Sequence, residues 1–221
     1  MNSIGQLRRQ AGDILQNFGL GPLRKLITRE EVNRVAVATG CAPLRRRQFD
    51  PEATFWLMLT VAVYGATMTG GLSTAWGLVC ALFPFLQEVS ITDAAFCQWR
   101  GRLPLSFWRQ LWLLLRTKYE AAFGSQLLWK GKLRLLAADG TEVAMRNVPE
   151  LVDYFGRPKT GRGESKAPQG RLVALCSVLT GYCVDFEFIS RCFSERDGLA
   201  HLIRRLQQND LVLLDRGFFP L

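Results

Sequence analysis

The chain has 221 residues, of which 48% are hydrophobic, and its formal net charge is +9 at pH 7. The hydrophobic content excludes a wholly disordered chain, and the length suits one large domain or two small ones. Residues 1–50 hold nine basic and four acidic side chains, so the positive charge is concentrated there. This bias fits a segment that binds nucleic acid or anionic lipid, and a solvated basic surface is the alternative.

Metal-ligating cysteines are not indicated. The six cysteines form no Cys-x-x-Cys pair and the chain has one histidine, His201, so the spacing of a structural zinc site is missing. Residues 1–13 are polar and charged, unlike a secretory signal. We therefore expect a cytoplasmic protein with free thiols.

Helix signals fill residues 1–126, which we assign to a helical N-terminal domain. A hydroxyl or carboxylate placed just before an apolar helical repeat is a typical N-cap, and glycine is a typical end. The predicted N-terminal signals are a capping box of Thr28 with Glu31, Asp50 followed by Pro51, a capping box of Ser90 with Asp93, and Ser106; the predicted ends are Gly40, Gly65 and Gly124.

A long uncharged run, residues 53–87, follows Arg45, Arg46 and Arg47. A membrane-spanning helix needs about 20 apolar residues. Glycine, threonine and serine interrupt this run, so we interpret it as two buried helices joined near the sequence "MTGGLS". A membrane protein remains a minor alternative.

Strand signals dominate residues 127–221, which we assign to a second domain. "KLRLLAADGTEV" predicts a strand that ends at Asp139, and "RLVALCSVLTGYCVDFEFI" predicts a hairpin that turns near Gly181. Ser194 with Asp197 predicts a capped helix, in which Ile203 is one of the buried residues. "LVLLD" predicts a strand with apolar residues on both faces, which suits the centre of a helix-covered sheet.

Alternation within the second arm of the hairpin predicts the direction of its side chains. Val184, Phe186 and Phe188 are expected on one face. Asp185 and Glu187 are expected on the opposite, solvent-facing side. This placement makes the two acids poor candidates for a catalytic role.

The segment 146–169 reads as a polar loop rich in glycine, proline and basic residues. Within it "GRPKTGRG" imitates a phosphate-binding loop, but Arg162 stands in place of the lysine and Gly163 in place of the Ser/Thr. Contact of this loop with phosphates, through Lys159, Arg162 and Lys166, and a solvated loop without a role are equally compatible with the sequence.

Two aspartates stand at the ends of hydrophobic strands. Asp139 is followed by Gly140, and Asp215 by Arg216 and Gly217. Two acids brought together at a sheet edge repel each other unless a cation lies between them. Mg²⁺ prefers oxygen ligands and keeps several waters, and metal pairs of this kind assist phosphodiester cleavage. Each aspartate alone is more often a turn residue or a cap, so the signal lies in the matched pair.

The blocks "LLAADGTEV" and "LVLLDRGFF" resemble the first two catalytic blocks of the IS4-type insertion-sequence transposases of the DDE superfamily. "RRRQFDPEATFWLMLTVAVYG" and "SITDAAFCQWRGRL" are similar to the N-terminal domain of that family. "FGRPKTGRGESKAPQGRLVAL" is similar to its segment after the first acid. The resemblance covers roughly residues 20–221.

This resemblance implies a ribonuclease-H-like catalytic domain that uses Mg²⁺ or Mn²⁺ to cut and transfer double-stranded DNA at the terminal inverted repeats of a mobile element. Asp139 and Asp215 match the first two acids of the catalytic triad and would be the metal ligands. The resemblance leaves a homodimer open and does not imply a membrane. The candidate DNA-binding residues are Arg45, Arg46, Arg47, Lys159, Arg162, Lys166 and Arg216.

One feature of the family has no counterpart. Its third acid lies in a Tyr-x2-Arg-x3-Glu-x6-Lys motif, and this sequence, which ends six residues after Asp215, contains no such motif. We therefore expect an incomplete catalytic domain, truncated after the strand of the second aspartate, with little or no activity. A residual DNA-binding module, or an inhibitor of full-length transposase, is the alternative function.

Overall fold

A computed structural model describes residues 20–41, 50–64, 71–86, 91–161 and 163–218, without the side chains of four of them. Over these residues the chain is a mixed α+β protein with eight α-helices and a five-stranded sheet. It divides into two compact units, the helical unit Met1–Tyr119 and the sheet unit Glu120–Leu221. The boundary expected from the sequence, after residue 126, lies a few residues further along the chain.

The described elements of the helical unit are all helices, and the last ends just past the unit boundary. Helix α3 packs against α2, α4 and α5. The helices are α1 Gly21–Leu26, α2 Arg29–Ala38, α3 Pro51–Tyr64, α4 Gly71–Leu82, α5 Asp93–Arg102 and α6 Leu105–Phe123, with a 3₁₀ turn at Pro84–Leu86.

Two of the predicted helix starts are confirmed. The Glu31 amide donates to Thr28 Oγ1 at 3.3 Å and the Thr28 amide donates to Glu31 Oε2 at 2.9 Å, which is the reciprocal capping box. The Ala53 amide donates to Asp50 Oδ1 at 2.8 Å, so Asp50 caps α3. Both caps satisfy amides that have no partner inside the helix.

Two other predicted starts are wrong. Helix α5 begins at Asp93 and its N-cap is Thr92, whose hydroxyl accepts a hydrogen bond from the Ala95 amide at 3.1 Å. Ser90 lies outside the described residues. Helix α6 begins at Leu105, so Ser106 lies inside the helix. Two hydroxyl residues, Ser90 and Thr92, precede α5, and local sequence does not decide which of them becomes the cap. In α6 the helix begins directly after Pro104, before the only hydroxyl residue near its start.

The core of the helical unit is built around aromatic side chains. Phe55, Trp56 and Leu57 are consecutive in α3 and all buried, so the first half of this helix is enclosed on every side. Trp56 lies 5.1 Å from Phe83 and 5.1 Å from Phe55, measured between ring centroids. The uncharged run thus supplies core helices, as predicted. Within the described part of the chain, no helix is both long enough and apolar enough to span a membrane.

The sheet unit combines the main sheet with a small two-stranded hairpin and two helices. Its elements are β1 Leu128–Trp129, β2 Leu133–Ala144, α7 Pro149–Phe155, β3 Lys159–Thr160, β4 Gly163–Glu164, β5 Gln169–Ser177, β6 Cys183–Ser190, α8 Glu195–Ile203 and β7 Asp210–Leu213, with 3₁₀ turns at Gly124–Leu127 and Arg216–Phe218. The segment predicted as a continuous polar loop therefore contains α7 and the β3–β4 hairpin, which corrects that prediction.

The sheet is held together by one long central strand. β2 pairs antiparallel with β5, β5 pairs antiparallel with β6, and β7 pairs parallel with β2. The β5–β6 hairpin turns at Gly181, whose φ of +68° glycine adopts at little cost, so the predicted hairpin is confirmed. The capping box of Ser194 with Asp197 at the start of α8 is also confirmed.

Helix α8 covers one face of the main sheet. That helix contacts β2, β5 and β6 and buries Leu199 and Leu202 against Val173. The opposite side, which we call the open face, exposes 36–47% of Phe186, Phe188, Leu211 and Leu213. The expectation that β7 is buried on both faces is therefore wrong. Ile203, expected in the core, is 49% exposed because it lies on the far side of α8.

The prediction for β6 also needs correction. Leu175 pairs with Asp185 and Cys176 pairs with Cys183, so Val184 is an extra residue in a β-bulge. The bulge takes Val184 out of the alternation that Phe186 and Phe188 follow, and Asp185 lies opposite Leu175, on the face that α8 covers. Asp185 is buried rather than solvent-facing. It pairs with Arg205 at 3.4 Å, while Glu187 pairs with the same guanidinium at 2.9 Å.

Candidate functional site

The two aspartates singled out from the sequence lie at one end of neighbouring parallel strands. β2 and β7 pair in register, with Ala137 opposite Leu213. Asp139 and Asp215 each follow that pair by two residues. Paired strands run about 4.7–4.9 Å apart. Continued by two residues past its last pair, the register places the backbones of the two aspartates at the same level of the sheet, at the C-terminal edge of β7.

The strand of Asp139 does not end where the sequence indicated. β2 continues through Gly140 to Ala144, because β5 goes on pairing with it after β7 has stopped. Asp139 thus lies within a strand, at the point where its parallel neighbour leaves it. The prediction of a strand end is wrong for β2. For β7 the last paired residue is Leu213, two residues before Asp215.

Both carboxylates are exposed and each makes one local hydrogen bond. The Gly140 amide donates to Asp139 Oδ1 at 2.8 Å, and the Gly217 amide donates to Asp215 Oδ1 at 2.8 Å. The second bond makes Asp215 the start of a short 3₁₀ turn. One oxygen of each carboxylate is engaged in this way, so the other oxygen of each can accept a cation.

Sequence reasoning missed a third acid beside this edge, Glu195. A Cβ on Gly140 would lie 2.7 Å from the Cγ and Cδ atoms of Glu195, so the glycine next to Asp139 leaves room for that side chain. Arg171 Nε lies 3.8 Å from Glu195 Oε1 and Arg171 Nη2 donates to Glu142 Oε1 at 3.2 Å. Gly140, directly after Asp139, was the sequence feature that could have indicated a close contact at this position.

These acids do not form a complete set of protein ligands for a metal ion. Within the residues that the structure describes, no three Asp, Glu, His or Cys side chains are grouped to hold a metal ion. Glu195 projects from α8 on the covered side of the sheet, whereas alternation along β2 directs Asp139 toward the open face. The arrangement can supply two carboxylate ligands, and water would have to complete the coordination shell.

The candidate DNA-binding residues are only partly described. Lys159 and Lys166 are exposed on and just after the β3–β4 hairpin, and Arg216 is exposed directly after Asp215. Arg45, Arg46, Arg47 and Arg162 lie outside the described residues. Chain adjacency therefore brings Arg216 to the edge that carries the two aspartates.

Comparison with known proteins identifies no relative. No family model, no curated protein and no solved structure matches this chain.

Proposed function

We propose that the chain is a DNA transposase of the IS4 type, in which Asp139 and Asp215 bind Mg²⁺ for phosphodiester cleavage and strand transfer. The observation that carries the proposal is the register of β2 and β7, which makes the two acids neighbours although 76 positions separate their numbers. Asp139 is exposed in β2 at the point where β7 stops pairing with it, and Asp215 is exposed two residues after the end of β7. Two such acids at one edge are expected of a cation site rather than of two unrelated turns.

The order of the strands supports the ribonuclease-H-like part of the proposal. The sheet unit runs through three antiparallel strands, β2, β5 and β6, and then returns through α8 to β7, which is parallel to β2. We expect this order of strands at the beginning of a ribonuclease-H-like sheet. It also explains why the second acid is far from the first in sequence and near it in the fold.

The residues at this edge fit Mg²⁺ as a partial ligand set. Mg²⁺ is usually held by one or two carboxylates and keeps several waters, so two exposed aspartates meet its needs. When bound, the ion would activate the attacking oxygen and stabilise the leaving one. Asp139 and Asp215 would hold it, and Arg216 would contact a phosphate next to it.

Cation binding tests the proposal directly. We expect the full chain to bind Mn²⁺, measured through the loss of the electron paramagnetic resonance signal of the free ion. Asp139→Asn and Asp215→Asn should each weaken binding about tenfold or more. Asp153→Asn is the matched control, because Asp153 is an exposed acid on α7. If all three substitutions change the affinity for Mn²⁺ equally, or if the first two do not change it, the proposed metal site is wrong.

Cleavage by this chain should be weak even where the cation binds. The aspartate edge supplies two carboxylate ligands, and positioning of the metal accounts for much of the rate in such reactions. We expect little nicking of a supercoiled plasmid in Mg²⁺ or Mn²⁺. Strong nicking that disappears in Asp139→Asn would show that two acids suffice.

Binding of DNA without cleavage is the second candidate function, and the exposed Arg216 beside the acids favours it. In gel-shift titrations across salt concentrations, Arg216→Ala should reduce the slope of log K against log salt by about 1, since one phosphate contact is lost. Lys132→Ala is the control, because Lys132 is exposed at the opposite end of β2. Equal slopes for the two variants would exclude DNA at this edge.

A further inference from the structure

Two cysteines face each other in the sheet unit at a position that the proposed function does not use. Cys176 near the end of β5 and Cys183 at the start of β6 are direct Cα partners across the antiparallel pair. The bulge at Val184 creates this pairing, since a regular ladder that continues from Leu175 opposite Asp185 would place Cys176 opposite Val184 instead. Both thiols are reduced and half-buried.

The pairing has the geometry that a disulfide needs. Disulfide-linked residues have Cα atoms about 4.4–6.8 Å apart, and directly opposed residues of antiparallel strands are about 4.5–5.5 Å apart. The Ser177 amide donates to the Tyr182 carbonyl at 2.7 Å, so the next pair toward the turn is hydrogen-bonded. The cysteine pair is then of the non-hydrogen-bonded kind, in which opposed side chains approach most closely.

We propose that Cys176 and Cys183 are a thiol–disulfide exchange site, at which a low-molecular-weight disulfide such as oxidised glutathione converts the pair into a disulfide between β5 and β6. The inference is independent of the transposase proposal. Two protein thiols lose two electrons and two protons, and oxidised glutathione takes them up as two molecules of glutathione.

The environment of the pair assigns an order to the two thiols. Burial, followed by the charge and the hydrogen bond of Cys176, raises the pKa of the Cys183 thiol to about 12. Cys183 is therefore protonated at neutral pH, and Cys176 makes the first attack on oxidised glutathione, releasing one glutathione thiolate. Cys183 then loses its proton and attacks the sulfur of Cys176, which releases the second glutathione.

The sequence makes the product simple to detect. Trypsin cleaves after Arg171 and after Arg191, and no lysine or arginine lies between them, so one peptide carries both cysteines. We would equilibrate the full chain in glutathione redox buffers and block the remaining thiols with an alkylating reagent. After trypsin digestion, the mass of this peptide is measured by mass spectrometry. The expected product is lighter by two hydrogen atoms, carries no alkyl group, and regains two alkylatable thiols after treatment with dithiothreitol.

The decisive comparison is between the folded and the unfolded chain. In the same buffers with urea, the ratio of disulfide to dithiol should fall roughly tenfold or more, because the sheet no longer holds the thiols together. Cys97→Ser, which removes an exposed thiol of α5, should change nothing in the folded protein. Cys183→Ser should leave Cys176 as a mixed disulfide with glutathione.

Three results would overturn the proposal. The peptide could be recovered as a dithiol from the folded chain at every glutathione ratio. The folded and unfolded chains could show the same ratio of disulfide to dithiol. Either cysteine could be found joined to a cysteine from another peptide. The wild-type chain alone distinguishes these results, so the test does not depend on whether the serine variants fold.

Discussion

The helical unit and the sheet unit are stabilised in different ways. Among the described residues, the helical unit has a cluster of 19 buried hydrophobic residues, whereas the main cluster of the sheet unit has six. Burial of large apolar side chains contributes most where such clusters are large. Ion pairs occur in both units, and those of Arg134, Arg171 and Arg205 supplement the smaller core of the sheet unit. Its exposed edges are therefore the places where charged groups can face a ligand.

The largest expected effect tests the core of the helical unit. Phe107 is fully buried in α6, and Phe107→Ala should lower the free energy of unfolding by about 3–5 kcal/mol. Leu105 lies two residues earlier in the same helix and is 65% exposed, so Leu105→Ala should cost under about 0.5 kcal/mol. Urea titrations followed by tryptophan fluorescence measure both. Similar costs would show that α6 is not anchored through Phe107.

A somewhat smaller effect tests the ion pairs of the sheet unit. Arg134 donates from Nε and Nη2 to the two oxygens of Asp210, both at 2.7 Å, and this contact joins β2 to β7. The hydrogen bonds to Asp210 raise the pKa of Arg134. Arg134→Met removes the positive charge beside the buried carboxylate of Asp210, which keeps its hydrogen bond from the Gln207 amide, and should cost about 3 kcal/mol in urea unfolding.

The double variant Arg134→Met with Asp210→Leu is the control for that prediction. It removes both charges and should recover a large part of the stability, because no unpaired charge remains buried. If the double variant is no more stable than Arg134→Met alone, the cost comes from lost packing and not from the charge. The sheet unit would then depend on apolar contacts as the helical unit does.

The smallest expected effect is a pH dependence in the helical unit. Burial raises the pKa of Glu52 to about 7, although Arg29 Nε lies 2.8 Å from its Oε2 and lowers it. A carboxyl with a raised folded pKa binds its proton more tightly in the folded state. Its contribution to stability is fully present below the unfolded value of 4.5 and is lost as the pH rises through about 7.

Urea midpoints measured from pH 5 to pH 8 should therefore fall with rising pH, and Glu52→Gln should reduce that fall. Glu150→Gln is the matched control, since Glu150 is exposed on α7. An identical pH profile for Glu52→Gln and the unsubstituted chain would show that Glu52 is ionised in the folded protein throughout.

Features that depend on a few neighbouring residues could be predicted from the sequence. The boxes at Thr28 and Ser194 and the turn at Gly181 involve groups within a few positions of each other. Local chemistry is sufficient for such features because the donor, the acceptor and the backbone angle all belong to one short segment. The change from helices to strands near residue 127 could be predicted in the same way.

Features that depend on residues distant in the chain could not be predicted from the sequence. The bulge at Val184 adds a residue to β6, and the alternating pattern of the sequence does not predict it. The apolar run of β7 reads as buried on both faces, but burial depends on whether an element from elsewhere covers each face. Glu195 was missed as a neighbour of Asp139 because 56 positions separate their numbers.

The sequence alone determined the local elements and the residue types that can carry chemistry, since the periodicity of apolar residues and the capping groups act over a few residues. The tertiary structure alone decided which of these residues meet. The register of β2 with β7 brings Asp139 level with Asp215, and the bulge in β6 brings Cys176 opposite Cys183. Strand pairing joins segments that are distant in the chain, so it depends on the packing of the whole sheet and not on any one stretch of sequence.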